Sequence, residues 1–91
     1  MKGKKIYNVV SQWYNGDKFE GDVAVTPYAS REDARAALIS LEKEAMVCFN
    51  NAYPAEDINV EGNSNTDDVV IIDANEYEDW WEGEIHEQVI R

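Results

Sequence analysis

The amino-acid sequence predicts a small α+β fold, in which a mostly antiparallel sheet carries one helix on one face and the elements follow the order β-β-α-β-β-β. Three observations predict this fold: a hairpin signal near the start, one long amphipathic stripe in the middle, and β-type segments separated by polar breaks in the last third. The 91 residues correspond to one domain, residues 1–91, and the hydrophobic content of 44% is that of an ordinary globular protein.

A hairpin is predicted at the start of the chain. Residues 5–14 are rich in β-branched and aromatic side chains, and Asn15-Gly16 is a preferred pair for a type I′ turn. This turn pairs Asn8 with Val23, unless a bulge shifts the register by one residue. The face expected to point towards the core carries Ile6, Val10, Phe19, Val23 and Val25.

A helix is predicted to follow Ser30, an N-cap residue whose partner Asp33 stands three residues later, as in a capping box. It should end between Asn50 and Ala52, because Tyr53 precedes a proline and such residues avoid helical backbone angles. Apolar residues recur at spacings of three and four along one stripe, which is expected to pack on the sheet. The stripe consists of Ala34, Ala37, Leu38, Leu41, Ala45, Cys48 and Phe49.

The last third of the chain is predicted to form the remaining strands. Residues 58–60 alternate between apolar and polar types, and the polar stretch 62–67 indicates a loop. The continuous apolar run 69–72 predicts a central strand that is buried on both faces, and residues 84–90 are expected to form the final strand. The segment between them, residues 75–83, is then a long connection rich in acidic and aromatic side chains.

The net charge of −11 is confined to the last third of the chain. Up to Ala55, seven acidic residues balance seven basic ones, whereas from Glu56 onward there are twelve acidic residues and one base, Arg91. Such an asymmetry indicates the kind of partner rather than the fold. Bare nucleic acid and an anionic membrane would both be repelled, so neither is expected to bind this chain directly.

Candidate catalytic and metal-binding residues are few. Cys48 lies on the helical stripe, where a buried thiol is inert, and His86 has no third residue to orient it, so a nucleophile–base pair is not expected. From Asp73 onward the pattern of an EF-hand fails, because Tyr77 and Glu78 replace an oxygen ligand and a glycine, which leaves open only a weak, nonspecific divalent site. The sequence therefore predicts a protein that is not an enzyme and that has no metal or cofactor.

One segment combines acidic with aromatic residues and is the candidate partner-binding site. In a first interpretation, one tryptophan packs in the core and the acids form a solvated loop. In a second, Tyr77 and either Trp80 or Trp81 are exposed anchors, and the carboxylates around them steer a basic partner. The candidate residues are Tyr77, Glu78, Asp79, Trp80, Trp81, Glu82 and Glu84.

These features predict a non-catalytic acidic binding protein that docks on a basic surface, such as the nucleic-acid-binding surface of a partner protein, and inhibits that partner. In size and charge the chain is similar to small acidic anti-restriction and anti-CRISPR proteins of phages and to immunity proteins against nuclease toxins. The alternative is a self-associating accessory module, in the simplest case a homodimer, whose uncovered sheet face holds Tyr7, Val9 or Trp13 and whose acids only confer solubility. A single cysteine and the lack of an apolar stretch of membrane-spanning length predict a cytoplasmic location.

Overall fold

The strands and the long helix follow the predicted order. The computed structural model describes residues 3–14, 22–74 and 79–90, and in this part of the chain one antiparallel five-stranded sheet carries one α-helix on one face. The predicted α+β fold class is therefore confirmed. The elements are β1 (Lys4–Tyr14), β2 (Asp22–Tyr28), α1 (Arg31–Ala52), a 3₁₀ turn (Ala55–Asp57), β3 (Ile58–Glu61), β4 (Val69–Ala74) and β5 (Trp80–Ile90). Across the sheet the strand order is β2-β1-β5-β4-β3.

The hairpin of β1 and β2 is present, but its register differs from the predicted one. The predicted pair of Asn8 with Val23 is wrong, because Val23 pairs with Gln12. The predicted turn at Asn15-Gly16 and the predicted core residue Phe19 lie outside the described residues. A shift by an even number of residues keeps every side chain on its own side of the hairpin, so the register does not decide which face is buried.

The buried face of the hairpin is the opposite of the predicted one. Val9 is only 2% exposed, whereas Val23 and Val25 are 52% and 57% exposed. β1 pairs along its whole length with β5, and β5 adds the large side chain of Trp81 to the side that carries Val9. α1 covers this face and buries that indole together with Val9. The residues predicted to stay uncovered, Tyr7, Val9 and Trp13, therefore lie on the helix side of the sheet.

The helix α1 begins and ends where the sequence predicts. The Ser30 hydroxyl accepts a hydrogen bond from the Asp33 backbone N–H at 3.1 Å, which is the predicted N-cap, and Ala52 is the last helical residue. Cys48 was predicted to be buried and is instead exposed, because it lies at the edge of the apolar stripe. The buried residues of the stripe are Ala34, Leu38, Ala45 and Phe49, and the half-buried ones are Ala37 and Leu41.

The last two strands differ from their predictions. β4 lies one strand away from the sheet edge, and its residues alternate: Val70 and Ile72 are buried towards α1, while Val69 is 40% exposed. The prediction of a strand buried on both faces is therefore wrong. β5 begins at Trp80 rather than at Glu84, so the end of the predicted acidic connection belongs to the sheet.

The core lies between α1 and the sheet, and Trp81 is its largest fully buried side chain. The indole N–H of Trp81 donates a hydrogen bond to the Ser11 hydroxyl at 2.9 Å, which satisfies both buried polar groups. Gly83 is buried on the same side of β5, and a Cβ at this position would stand 2.7 Å from Leu38 Cδ1 and 2.8 Å from Trp81 Cζ2. The missing side chain of Gly83 therefore lets the indole and Leu38 meet between the sheet and the helix.

Candidate functional site

The face of the sheet turned away from α1 is not covered by any element of the described chain, and we call it the open face. Side chains alternate between the two faces of a strand, and residues paired across neighbouring strands share a face. Because Val9 and Val70 are buried towards α1, their neighbours along β1 and β4 belong to the open face. One cross-strand row of the open face consists of Val25, Val10, Glu84 and Val69.

One half of the open face is acidic. Glu61 on β3, Asp73 on β4, and Glu82 and Glu84 on β5 belong to it, and we call these four residues the acidic half. The described residues of these three strands include no lysine or arginine. Three adjacent strands span about 10 Å, and the rows from Asp73 to Glu84 span about 13 Å along the strands, so four carboxylates share a patch of roughly this size.

The other half of the open face is mainly apolar. Ile6 and Val10 on β1 alternate with the amides of Asn8 and Gln12, and β2 adds Val23, Val25 and Pro27; we call the five apolar residues the apolar half. Val23 and Val25 are each more than half exposed. Single exposed apolar side chains are common on protein surfaces, but a contiguous group on two paired strands is typical of an interaction surface.

The two halves meet along the line between β1 and β5. Val10 pairs with Val25 on one side and with Glu84 on the other. In the next row the amide of Gln12 takes the place of Val10. The carboxylates of the open face therefore all lie on β5, β4 and β3, where apolar side chains of β4 stand among them, and the larger apolar group lies on β2 and β1.

The polar contacts of the acidic half involve an amide and an imidazole. The Asn59 side-chain amide donates a hydrogen bond to Asp73 Oδ1 at 3.0 Å, and His86 Nε2 lies 2.8 Å from Glu84 Oε1. Within the described chain, no lysine or arginine forms an ion pair with the acidic half. The negative charge of this patch is therefore not offset by the permanently cationic side chains that the structure describes.

The two arginines of α1 form their ion pairs with residues outside the acidic half. Arg35 donates hydrogen bonds to the Ser64 carbonyl at 3.0 Å and to Asp68 Oδ1 at 2.6 Å, while Arg31 donates to both Asp68 oxygens and lies 3.5 Å from Glu87. Burial raises the pKa of the Asp68 carboxyl, but the hydrogen bonds from Arg31 and Arg35 outweigh this effect and hold that pKa below its ordinary value. These positive charges tie the helix to the loop between β3 and β4 and to β5.

The predicted partner-binding residues divide between the two faces of the sheet. Trp80, Glu82 and Glu84 alternate along β5 and lie together on the open face. Trp80 stacks on Tyr14 of β1 with ring centroids 5.5 Å apart. Trp81 lies on the other face and is 1% exposed, so the interpretation of Trp81 as an exposed anchor is wrong. One tryptophan packs in the core, as the first interpretation has it.

Among the remaining predicted residues, Asp79 is described by the structure and does not extend the open face. Asp79 is half-buried and accepts a hydrogen bond from the Tyr53 hydroxyl, just beyond the end of α1. Tyr77 and Glu78 lie outside the described residues. Of the predicted set, Trp80, Glu82 and Glu84 are therefore the residues that the described structure brings together on one surface.

Sequence spacing missed seven residues of the two halves. Glu61 and Asp73 join the acidic half through strand pairing. The other five form the apolar half: four of them were assigned to the core instead, and Pro27 was not assigned to any surface. The one local signal was the alternation of Trp80, Glu82 and Glu84 with their neighbours, which has the period of a strand. This alternation did not identify a strand, because a segment rich in aromatic and acidic residues is also typical of a loop.

Cys48 and His86 lie on opposite sides of the sheet. Cys48 is exposed on α1, whereas His86 is exposed on the open face, so this thiol and this imidazole are too far apart to act as nucleophile and base. Among the described residues, no three His, Cys, Asp or Glu side chains are grouped as a metal ion would require. In the same part of the chain, no helix combines the length and the apolar character needed to cross a membrane.

Comparison with known proteins identifies no family model, no curated protein and no solved structure that matches this chain. The open face is therefore the basis on which a function can be assigned.

Proposed function

We propose that this chain is a non-catalytic binding protein that docks its acidic half on a basic surface of a partner protein and thereby inhibits that partner. The observation that supports the proposal is the acidic half itself: four carboxylates on three adjacent strands, with no lysine or arginine among the described residues of those strands. The commonest large basic surfaces in cells bind nucleic acids, so the partner is a nucleic-acid-processing protein.

The sheet gives these carboxylates a property that a disordered acidic tail lacks. Their backbones are held in register by the strand pairs β3–β4 and β4–β5, so little conformational entropy is lost when a partner binds. A fixed array of negative charges attracts a lysine- and arginine-rich surface, as the phosphates of a nucleic acid do. Occupation of that surface would exclude the nucleic acid, which accounts for the inhibition.

The test compares two double variants of equal charge. Glu82→Gln/Glu84→Gln removes two charges from the acidic half, and Glu44→Gln/Glu56→Gln removes two from exposed sites outside the open face, so both variants carry a net charge of −9 instead of −11. Each protein is immobilised and exposed to host lysate at low and at physiological salt. Duplex DNA is then added as competitor, and the captured proteins are identified.

The proposal expects the wild type and the Glu44/Glu56 variant to capture the same basic nucleic-acid-binding protein, which DNA and salt displace. The Glu82/Glu84 variant should associate with that protein more slowly, because exposed charges at the edge of an interface act mainly on the association rate. Equal loss of binding in both variants would show that only the overall charge matters. A captured partner that duplex DNA does not displace would exclude the nucleic-acid-binding surface as the target.

Self-association is the second candidate function, and the exposure of Val23 and Val25 favours it. Two copies could pair their apolar halves so that the acidic halves point in opposite directions. Sedimentation equilibrium measures this directly. A dimer that the change Val23→Ser/Val25→Ser converts to a monomer, and that Val47→Ser/Val60→Ser leaves intact, would support it; Val47 and Val60 are exposed valines outside the open face.

A further inference from the structure

The division of the open face specifies the shape of the partner as well as its charge. Val25, Val10 and Glu84 follow one another in a single row, one residue per strand. Neighbouring strands lie about 4.8 Å apart, so an apolar contact and an ionic contact are available within about 10 Å of each other. A partner that uses the whole face must therefore present apolar and basic side chains side by side.

We propose that the open face binds one basic amphipathic helix of the partner protein, which lies along the strands above the boundary between β1 and β5. Its apolar stripe contacts Val10, Val23 and Val25, and lysines or arginines on one flank contact Glu82 and Glu84. This inference rests on the proposed function and names the element of the partner that carries the basic surface.

A helix fits the dimensions of the open face. Five strands span about 19 Å, and a helix with its side chains is about 10 Å across, so one helix covers the boundary and reaches both halves. Along the strands, the apolar half extends over about 13 Å from Val23 to Pro27, which corresponds to about nine helical residues. On the other face, α1 packs mainly over the same two strands, β1 and β5.

The two sheet edges are poorly suited to bind an added strand instead. β2 carries Pro27, which has no backbone N–H to donate, and β3 is only four residues long. A second copy of this chain is disfavoured by charge, because each copy carries a net charge of −11. The sheet edges therefore disfavour an added strand, and charge complementarity favours a basic helix over a second copy.

The probe is a synthetic 14-residue peptide with capped ends, in which leucines at helical spacing form one stripe and lysines flank it. Two control peptides have the same length: one has the same composition in scrambled order, and one has glutamate in place of every lysine. Binding is followed by the ¹H–¹⁵N chemical shifts of the full chain. The expected shifts fall on Val10, Val25, Glu82 and Glu84, and the residues on the exposed side of α1, such as Val47, stay unchanged.

Four double variants of the chain separate the two halves. Val23→Ser/Val25→Ser and Glu82→Gln/Glu84→Gln should each weaken binding of the amphipathic peptide by about tenfold. The control pairs, Val47→Ser/Val60→Ser and Glu44→Gln/Glu56→Gln, should change it by less than about twofold. The scrambled and glutamate peptides should bind at least about tenfold more weakly than the amphipathic one.

The outcomes distinguish this inference from the proposed function. If the Glu82/Glu84 pair matters but the valine pair does not, or if the scrambled peptide binds equally well, the helix is excluded while the acidic docking surface stands. If the Glu82/Glu84 pair changes neither peptide binding nor capture of a basic partner from lysate, both proposals fail. If the chain is a dimer that only the Val23/Val25 variant dissociates, a second copy occupies the face and the helix proposal is overturned.

Discussion

Replacing Gly83 by alanine should destabilise the protein, although the backbone of β5 can accept an alanine. Among the described glycines only Gly62 has a positive φ, so at Gly83 the substitution brings no backbone strain. By restricting the unfolded chain, it would by itself stabilise the protein by about 0.4–1 kcal/mol. The packing around Gly83 opposes this gain.

The added methyl group has no free space. It would lie 2.7 Å from Leu38 Cδ1 and 2.8 Å from Trp81 Cζ2, and it would meet Trp81 Cη2 at closer range still. Contacts of this kind normally exceed about 3.4 Å, so the indole or the leucine must move by most of an ångström. The indole cannot move freely, because it is 1% exposed and its N–H is bonded to Ser11. Overpacking of this kind costs about 1–3 kcal/mol.

The net expectation is therefore a loss of about 1–2 kcal/mol in the free energy of unfolding. In a domain of this size each kcal/mol lowers Tm by about 4–8 °C. Urea denaturation, followed both by tryptophan fluorescence and by circular dichroism, measures the loss.

The matched control is Leu38→Ala, alone and combined with Gly83→Ala, because truncating Leu38 removes one of the two side chains that the added methyl group would contact. The double variant should be more stable than the sum of the single losses by at least ~0.5 kcal/mol. An unfolding free energy of Gly83→Ala equal to or above that of the wild type would refute this account of the core.

Four further predictions concern stability. Ser30→Ala removes the N-cap acceptor of α1 and should cost about 1 kcal/mol in urea denaturation. Gly62→Ala places a side chain at φ +88° against the Val69 backbone and should cost about 1–3 kcal/mol by the same measurement. The folded-state pKa of Asp68 lies below its unfolded value. The ionised carboxylate therefore stabilises the folded protein above the unfolded pKa, and this contribution is lost as pH falls through the folded pKa. Asp68→Asn should therefore be less stable than the wild type at pH 7, and the difference should shrink below about pH 4. Added salt at pH 7 should raise Tm, because it screens the repulsion among the acidic residues of the last third; a Tm indifferent to salt would contradict this.

Local patterns in the sequence determined the elements of this protein. The capping residue Ser30, the apolar stripe of α1 and the Pro54 stop act within a few residues of one another, so their outcome can be predicted without knowledge of the rest of the fold. The same holds for the number and order of the strands, although not for the start of β5, because each segment carries its own period and its own polar breaks. The acidic character of the last third is also a property of the sequence alone.

The tertiary structure decided which face of the hairpin is buried. Both faces of β1 are apolar enough to form a core, and the hairpin contains no preference strong enough to select one. The buried face is the one on which β5 places Trp81 and Gly83, and the Trp81 indole is hydrogen-bonded there to Ser11, 70 positions away. A residue that distant contributes only after the strands have paired, so no local pattern could show it.

The same pairing decided which residues make up the candidate site. The sequence predicted Trp80, Glu82 and Glu84 as part of a binding site, but it could not separate them from Trp81, because only a strand sends neighbouring side chains to opposite faces. Glu61 and Asp73 joined the acidic half because β3 and β4 pair next to β5. The sequence by itself determined how much negative charge the last third carries, and the register of the sheet decided on which surface that charge is concentrated, because only paired strands bring distant carboxylates side by side.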